Sequence, residues 1–363
     1  MKRAFLTVAC LLLAAGCASL DARLSAAAYT PQAVAQAAAD FYVSDRGDES
    51  CCVAIVTPAE TFFAHAGPAD EHALFRIASL SKLFLTPILE RLQADGRVDL
   101  DRSVASYARL DLPPEYVAVT LRDLVENRSG LPREFLSGWS LGDWCTIASC
   151  GCFGTSLYGG FESRTDFARE AWQWRDAVRH PRQIYSSMGY GLVGLALADA
   201  CGCSLEALLQ KELVGPQRLD ETTYEPAGVQ TNRLTRACAG DLPWLVRRGR
   251  DVPENRLGEA LRATGGLFSS ASDCARVFAA QWPAIEARMK VRPLAAYEQD
   301  AVYGLLRVWI QPSGRRILYR SGMIYGGASF VGFDPASHTI VIILRNVTSW
   351  PDTYGFQVMS ALE

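Results

Sequence analysis

Apolar positions along the chain follow two rhythms, one helical and one alternating, and the switch between them outlines the fold. After Thr30-Pro31, a helix start with proline at the first helical position, Val34, Ala38, Phe41 and Tyr42 fall on one face and predict a helix. Cys51 to Val56 and Thr61 to His65 are short β-branched or aromatic runs on either side of Pro58, which predicts a hairpin. Leu74 to Ala78 is expected to continue the same sheet. From Ser81 the period changes: Leu85, Leu89 and Leu92 recur at helical spacing until Gly96, with Pro87 inside as an expected kink. Residues from about 100 to 255 carry helical patterns broken by long Cys/Gly/Trp-rich loops. The chain then turns strand-rich at Tyr303 to Ile310, Arg316 to Tyr319, Ala328 to Phe333 and Thr339 to Leu344, before a last helix from about 352. Strands at both ends with helices between predict an α+β fold. An antiparallel sheet lobe flanked by terminal helices would come from about 31–100 and 256–363, with a mostly helical lobe from about 101–255 inserted. The cleft between lobes is the expected ligand site.

The first residues do not belong to that pattern. Lys2 and Arg3 precede an apolar stretch from Ala4 to Ala15, shorter than the roughly 20 residues a membrane span needs, and Leu13-Ala14-Ala15-Gly16-Cys17 closes it. This resembles a bacterial lipoprotein signal, with 1–16 as signal peptide, 17–30 as tether and 31–363 as the folded domain. Cys17 would be lipidated, and Ala18 after it, where Asp would resemble an inner-membrane retention signal, points to the outer membrane; an ordinary cleaved signal is the alternative. Export would place the domain in the periplasm, where disulfides are the expected state of cysteine. Of 11 cysteines, Cys10 and Cys17 are set aside, which leaves nine, an odd number whose pairing is open. The Cys-Gly-Cys pairs at 150–152 and 201–203 have no His at ligand spacing, so no metal is expected.

Composition narrows the class. With 49% hydrophobic and 21% charged residues over 363 positions, disorder and collagen-like structure are excluded and a packed core is expected. A net charge of −3 and scattered basic residues argue against a nucleic-acid partner, and Arg247-Arg248-Gly249-Arg250 reads as a solvated loop.

Three motifs carry possible chemistry. Gly138-Trp139-Ser140-Leu141-Gly142 matches a G-x-S-x-G elbow, which His180 or His338 could complete, but no strand leads into it and no helix pattern follows. Gly189 to Gly194 matches G-x-G-x-x-G inside a helical stretch, where helix packing explains it. Ser79-Leu80-Ser81-Lys82 is different, because a strand-like run ends at Ala78 and a helix begins directly after it. Ser79 and Lys82 would then lie one turn apart at a helix N-terminus, where developing negative charge is stabilised and the amine reaches the hydroxyl proton. A capped helix with a solvated lysine is the simpler alternative.

The surroundings of that motif resemble a known family. Phe75-Arg76-Ile77-Ala78-Ser79-Leu80-Ser81-Lys82 is similar to the nucleophile motif of class C β-lactamases and low-molecular-mass penicillin-binding proteins. Thr120 to Leu124 leading into Ser129-Gly130-Leu131-Pro132-Arg133-Glu134 resembles the family's helix and turn, with the Arg-Glu extension most like the AmpH-type D,D-carboxypeptidase/endopeptidase branch. Tyr185-Ser186-Ser187 resembles the Tyr-x-Asn motif, Gly265-Gly266-Leu267-Phe268-Ser269-Ser270 a later turn, and Arg320-Ser321-Gly322 the Lys-Thr-Gly or His-x-Gly strand. The resemblance runs from about 35 to 360, in family order.

It implies Ser79 as acylated nucleophile, Lys82 and Tyr185 sharing proton transfer, and backbone N–H groups of Ser79 and Met323 as oxyanion hole. Ser187 would hold Lys82 and the substrate amide, while Arg320, Ser321 and Gly322 would bind the substrate carboxylate. A lysine serving as base must be brought from about 10.4 to near neutrality, which burial beside a cation such as Arg320 favours. Two departures stand out. Ser187 replaces an amide with a hydroxyl of shorter reach, and Arg320 replaces Lys or His with a guanidinium that holds a carboxylate yet does not relay a proton. The expected function is therefore a serine D,D-carboxypeptidase/endopeptidase that acts on peptidoglycan stem peptides and binds β-lactams without any cofactor. A β-lactamase or esterase using the same residues, or an inactivated wall-binding lipoprotein, are the alternatives.

Overall fold

The computed structural model describes residues 20, 23–24, 30–43, 48–134, 145, 161–240, 248–253, 257–299 and 302–363. Helix α1 (Pro31–Tyr42) begins where expected, with Thr30 Oγ1 accepting the Ala33 N–H. Its apolar stripe lies on the hairpin of β1 (Cys51–Val56) and β2 (Thr61–Ala66). Further along come β3 (Phe75–Arg76), α2 (Ser81–Ala94), α3 (Leu121–Val125), α4 (Arg164–Gln173), α5 (Arg175–Arg179) and α6 (Ser187–Cys201). They are followed by α7 (Arg262–Gly265), β4 (Phe268–Ser269), α8 (Ala271–Ala280), α9 (Trp282–Val291), β5 (Val302–Tyr303), β6 (Leu306–Ile310), β7 (Arg316–Ile324), β8 (Gly327–Asp334), β9 (Thr339–Arg345) and α10 (Asp352–Ser360). Among the described residues no single helix is long and apolar enough to cross a membrane.

Seven strands from the two ends of the chain form one antiparallel sheet in the order β2-β1-β9-β8-β7-β6-β5. The two-residue period of β1 divides it between two cores: Cys51, Val53 and Ile55 join α1 and α10 on one face, while Cys52 and Ala54 join the larger cluster that contains Phe84, Phe278 and Phe333. Leu20 and Leu24, within the stretch expected to be a tether, are buried in the first of these clusters. The signal segment with Cys10 and Cys17, the Gly138–Gly142 motif, Cys150 and Cys152 lie outside the described residues.

Four expectations need correction. The Leu74–Ala78 run does not extend the hairpin sheet; β3 pairs with β4 in a separate two-stranded ladder, because both sides of β1 are taken by β2 and β9. The expected strand over Tyr303–Ile310 is two strands folded at Gly304, whose φ of 63° turns the chain so that Tyr303 pairs with Leu306. Arg248 is not a solvated loop residue: its guanidinium reaches both carboxylate oxygens of the buried Glu49, at 3.0 and 3.2 Å. The cysteines Cys51, Cys52, Cys145, Cys201, Cys203, Cys238 and Cys274 are free thiols rather than disulfides. For Cys51 and Cys52 the pleat explains it, since neighbours on a strand point to opposite faces, and burial pushes the Cys51 thiol up to about 12.

Gly191 and Gly194 in α6 show why that G-x-G-x-x-G belongs to packing. A Cβ at Gly191 would lie 2.4 Å from the Ala260 carbonyl oxygen, and one at Gly194 would lie 2.5 Å from the Ala263 Cβ.

Asn346, just past β9, joins three segments. Its side-chain oxygen accepts the Ser50 N–H at 2.7 Å, and its Nδ2 donates to the carbonyls of Asp48 at 2.7 Å and Arg236 at 2.8 Å. Asn346→Ala is expected to destabilise the fold by about 2–3 kcal/mol, since it removes three hydrogen bonds and strands buried groups. Urea unfolding checks this; an unchanged midpoint would show that water replaces the amide.

Candidate active site

Local geometry makes Ser79 available. It sits in a single 3-10 turn, Ala78–Leu80, between β3 and α2, and Ala78 ahead of it has φ 47°, a left-handed conformation that costs a non-glycine residue on the order of 1 kcal/mol or more. The surroundings hold it there. Ser81 Oγ donates to Ala78 O at 2.6 Å and accepts from Leu267 N at 3.2 Å, and Ser329 Oγ donates to Ile77 O at 2.7 Å. Strand β7 crosses so closely that a Cβ on Gly322 would be 2.7 Å from Ser79 N, which only glycine permits.

Lys82 lies one turn into α2 and is 1% exposed. Its Nζ donates to Ser79 Oγ at 3.2 Å and to the Thr264 carbonyl of α7, and lies 5.1 and 5.6 Å from the ring centres of Tyr185 and Tyr190. Burial, helped by the charge of Arg320, lowers the lysine pKa, against the opposing pull of Tyr185 and Glu134.

Tyr185 enters from the other side, just before α6, and its hydroxyl is 2.9 Å from Ser79 Oγ. The start of α6 is fastened to the 127–134 turn. Ser186 N donates to Asn127 Oδ1 at 2.9 Å, Ser186 Oγ donates to Pro132 O at 2.6 Å and caps Gly189 N at 2.8 Å, and Ser187 N donates to Arg133 O at 2.9 Å. Asn127 at φ 57° and Gly130 at φ 79° give the turn its shape, and a Cβ on Gly130 would lie 2.3 Å from Ala177 O. Burial alone would raise the Tyr185 pKa, but Arg320, then Lys82, then hydrogen bonding outweigh it and bring the phenol down to about 7.

The pleat of β7 turns Arg320 and Gly322 toward this cluster, with Ser321 and Met323 at the alternate, half-buried positions. Arg320 is 8% exposed; its guanidinium carbon lies 4.1 Å from the Tyr185 ring centre, and Nη1 donates to Leu305 O at 3.2 Å. A cavity of about 670 Å³ lined by Arg122, Arg128, Arg288, Arg292, Gln183 and Leu305 lies beside this cluster, and Ser79, Lys82, Tyr185 and Arg320 are not in its lining.

Ser79, Lys82, Tyr185, Arg320 and Gly322 thus converge. Ser187 is close, but its role differs from expectation: its hydroxyl donates to Glu134 Oε1 at 2.9 Å, while Lys82 is held by the Thr264 carbonyl. No hydrogen bond joins the Ser321 side chain to these groups among the described residues. Glu134 and the Thr264 carbonyl are site components that the residue pattern did not single out. The only pointers were the Arg133-Glu134 extension of the turn and the adjacency of Thr264 to Gly265-Gly266.

Comparison with known proteins bears on the family and the fold. The family model described as Beta-lactamase matches residues 35–359. The D-alanyl-D-alanine-carboxypeptidase/endopeptidase AmpH of Escherichia coli K12 is 26% identical over 216 residues, 56% of this chain and 48% of that protein. The chain spans about half the length of the curated relatives it matches. Among solved structures, the octameric penicillin-binding protein homologue from Pyrococcus abyssi aligns with a TM-score of 0.65 and 19% identity, over 86% of this chain and 73% of that one. A class C beta-lactamase from Rhodobacter sphaeroides aligns with a TM-score of 0.63 and 17% identity, over 91% and 98%.

Proposed function

The chain belongs to the beta-lactamase family, and on that premise we propose that it is a serine hydrolase that works through an acyl-enzyme on Ser79, with peptidoglycan stem peptides as its substrates. The observation that carries this reading is the pair of contacts on one oxygen: Ser79 Oγ lies within hydrogen-bond distance of both Lys82 Nζ and a Tyr185 hydroxyl poised near neutrality.

In its ionised form Tyr185 takes the Ser79 proton as Oγ attacks the carbonyl, while the Lys82 amine orients Oγ. Negative charge developing on the carbonyl oxygen is met by the N–H groups of Ser79 and Met323. Tyr185 then returns its proton to the departing amine, leaving the acyl group on Ser79. Water repeats the sequence: Tyr185 takes a proton from water, the hydroxide equivalent attacks the ester, and the proton returns to Ser79 Oγ. Arg320 keeps Tyr185 acidic and offers its positive charge to a carboxylate on the leaving side. The AmpH relative supports a peptidase with D-alanyl-D-alanine chemistry. In the same proposal the domain is periplasmic and held to the outer membrane by a lipid on Cys17.

A β-lactam opened by the same oxygen gives the same bond, so benzylpenicillin reports on the site. Intact-mass measurement of the domain with benzylpenicillin, while free drug is followed, is expected to show an adduct on the wild type that is absent in Ser79→Ala. A long-lived adduct favours the peptidase, and rapid loss of drug favours a β-lactamase. The absence of both an adduct and drug loss would sink the reading.

A further inference from the structure

Resting on this reading of Ser79, one feature of the site sets which acyl donors it accepts. Ser187 stands in the first turn of α6, two residues beyond Tyr185, and its hydroxyl hydrogen is directed to Glu134 Oε1 at 2.9 Å. A side-chain amide there would both donate and accept. Ser187 and Glu134 together have a different character: the serine hydrogen is already engaged, and an ionised carboxylate only accepts. Glu134 receives no other hydrogen bond among the described residues, so its second oxygen remains available. Backbone contacts pin the pair, because Ser187 N is bonded to Arg133 O and the 127–134 turn is bonded to Ser186. Arg320 supplies positive charge from strand β7, 4.1 Å from the Tyr185 ring centre.

We propose that Glu134, with Ser187, is a specificity-determining pair that selects acyl donors carrying a protonated amine on the acyl side of the bond to be broken. The amine donates one hydrogen to the free Glu134 oxygen and one to a Ser187 lone pair, so its charge is neutralised where an uncharged amide would find no donor. Burial raises the Glu134 pKa above the ordinary carboxylate range, while Lys82, the Ser187 hydrogen bond and Arg133 pull the other way; an incoming ammonium adds to that pull and selects the ionised form. Peptides with a free amino group next to the acyl residue, or with a diamino acid there, are the matching class. Donors acylated on that amine would be poor.

Benzylpenicillin and its α-amino analogue ampicillin differ by one amine on the acyl side, so they isolate this contact. Second-order acylation rates would be measured by intact mass near pH 6.5, where most of that amine is protonated, for wild type, Glu134→Gln and Ser79→Ala. Glu134→Gln keeps an acceptor for Ser187 but removes the charge. The wild type is expected to prefer the amino compound by ~10-fold or more, as a charge-assisted hydrogen bond allows. Glu134→Gln should collapse that preference to within ~3-fold, read as the ratio of the two acylation rates in the same variant. Equal wild-type rates, or a Glu134→Gln loss shared by both compounds, would overturn the proposal while leaving Ser79 as nucleophile, since a purely structural role moves both rates together. Acylation of neither compound, or acylation that survives in Ser79→Ala, would overturn the hydrolase reading and this inference with it.

Discussion

Lys82→Met is expected to slow acylation of Ser79 by ~10³-fold, because it removes both the group that orients Oγ and a charge that keeps the proton acceptor Tyr185 ionised. The argument starts from burial. At 1% exposure the amine is out of water, so it is held in reach of Ser79 Oγ by the Thr264 carbonyl rather than by a hydration shell. Methionine fills the same channel between the Tyr185 and Tyr190 rings but donates nothing, so Ser79 Oγ loses one of its two polar partners and Tyr185 loses a cation that keeps it acidic. The fold should tolerate the change. Leaving the Thr264 carbonyl without its donor costs roughly 1–3 kcal/mol, and removal of a buried amine offsets part of it. Adduct formation with benzylpenicillin, followed by intact mass alongside a thermal melt, checks both halves. A rate within ~5-fold of wild type in a folded variant would show that Tyr185 alone activates the serine.

Arg320→Gln should shift the pH dependence rather than abolish the reaction. The base is ionised Tyr185, so acylation rises with pH through about 7 and levels above it. Arg320, 4.1 Å from the ring centre, is the foremost of the groups lowering that pKa. Removing its charge raises the pKa, so the limb moves to higher pH and the neutral-pH rate falls. A one-unit displacement lowers the rate at pH 7 by about 5-fold, because the ionised fraction falls from about a half to about a tenth, and it leaves the plateau at high pH within reach. Loss of the same cation also lets the Lys82 pKa climb, and a more fully charged Lys82 stabilises the phenolate and offsets part of that displacement. Arg320→Lys keeps the charge while losing the flat stacking on the ring, and it should give a smaller displacement. Profiles of acylation rate between pH 5 and 10 would decide the matter. An unmoved limb with a lower plateau would mean that Arg320 acts only on substrate.

The legible parts of this protein are those in which cause and consequence lie close together in the chain. Thr30-Pro31 started a helix because a cap and its N–H are three residues apart. The Cys51–Val56 and Thr61–Ala66 strands could be read from alternation and a turn. Gly189 to Gly194 could be assigned to helix packing, and Ser79 with Lys82 could be placed one turn apart, from spacing alone. The apolar run marked a strand only over Arg316 to Tyr319, and the resemblance alone put Arg320-Ser321-Gly322 on a strand; the ladder to β8 runs through to Ile324.

Other features have no local signature. Local pattern was enough for the α+β class and for Ser79 with Lys82, because periodicity, capping and turn residues act over three to five positions, but not for Glu134 or the Thr264 carbonyl. Only the tertiary structure decided that β3 pairs with β4, since that depends on which sheet edges were already filled. It also brought Tyr185 to Ser79 across 106 residues, Lys82 to the Thr264 carbonyl across 182, and Ser187 to Glu134 across 53. The pKa of Tyr185 follows from those meetings, because burial and neighbouring charge depend on which surfaces pack together rather than on spacing along the chain.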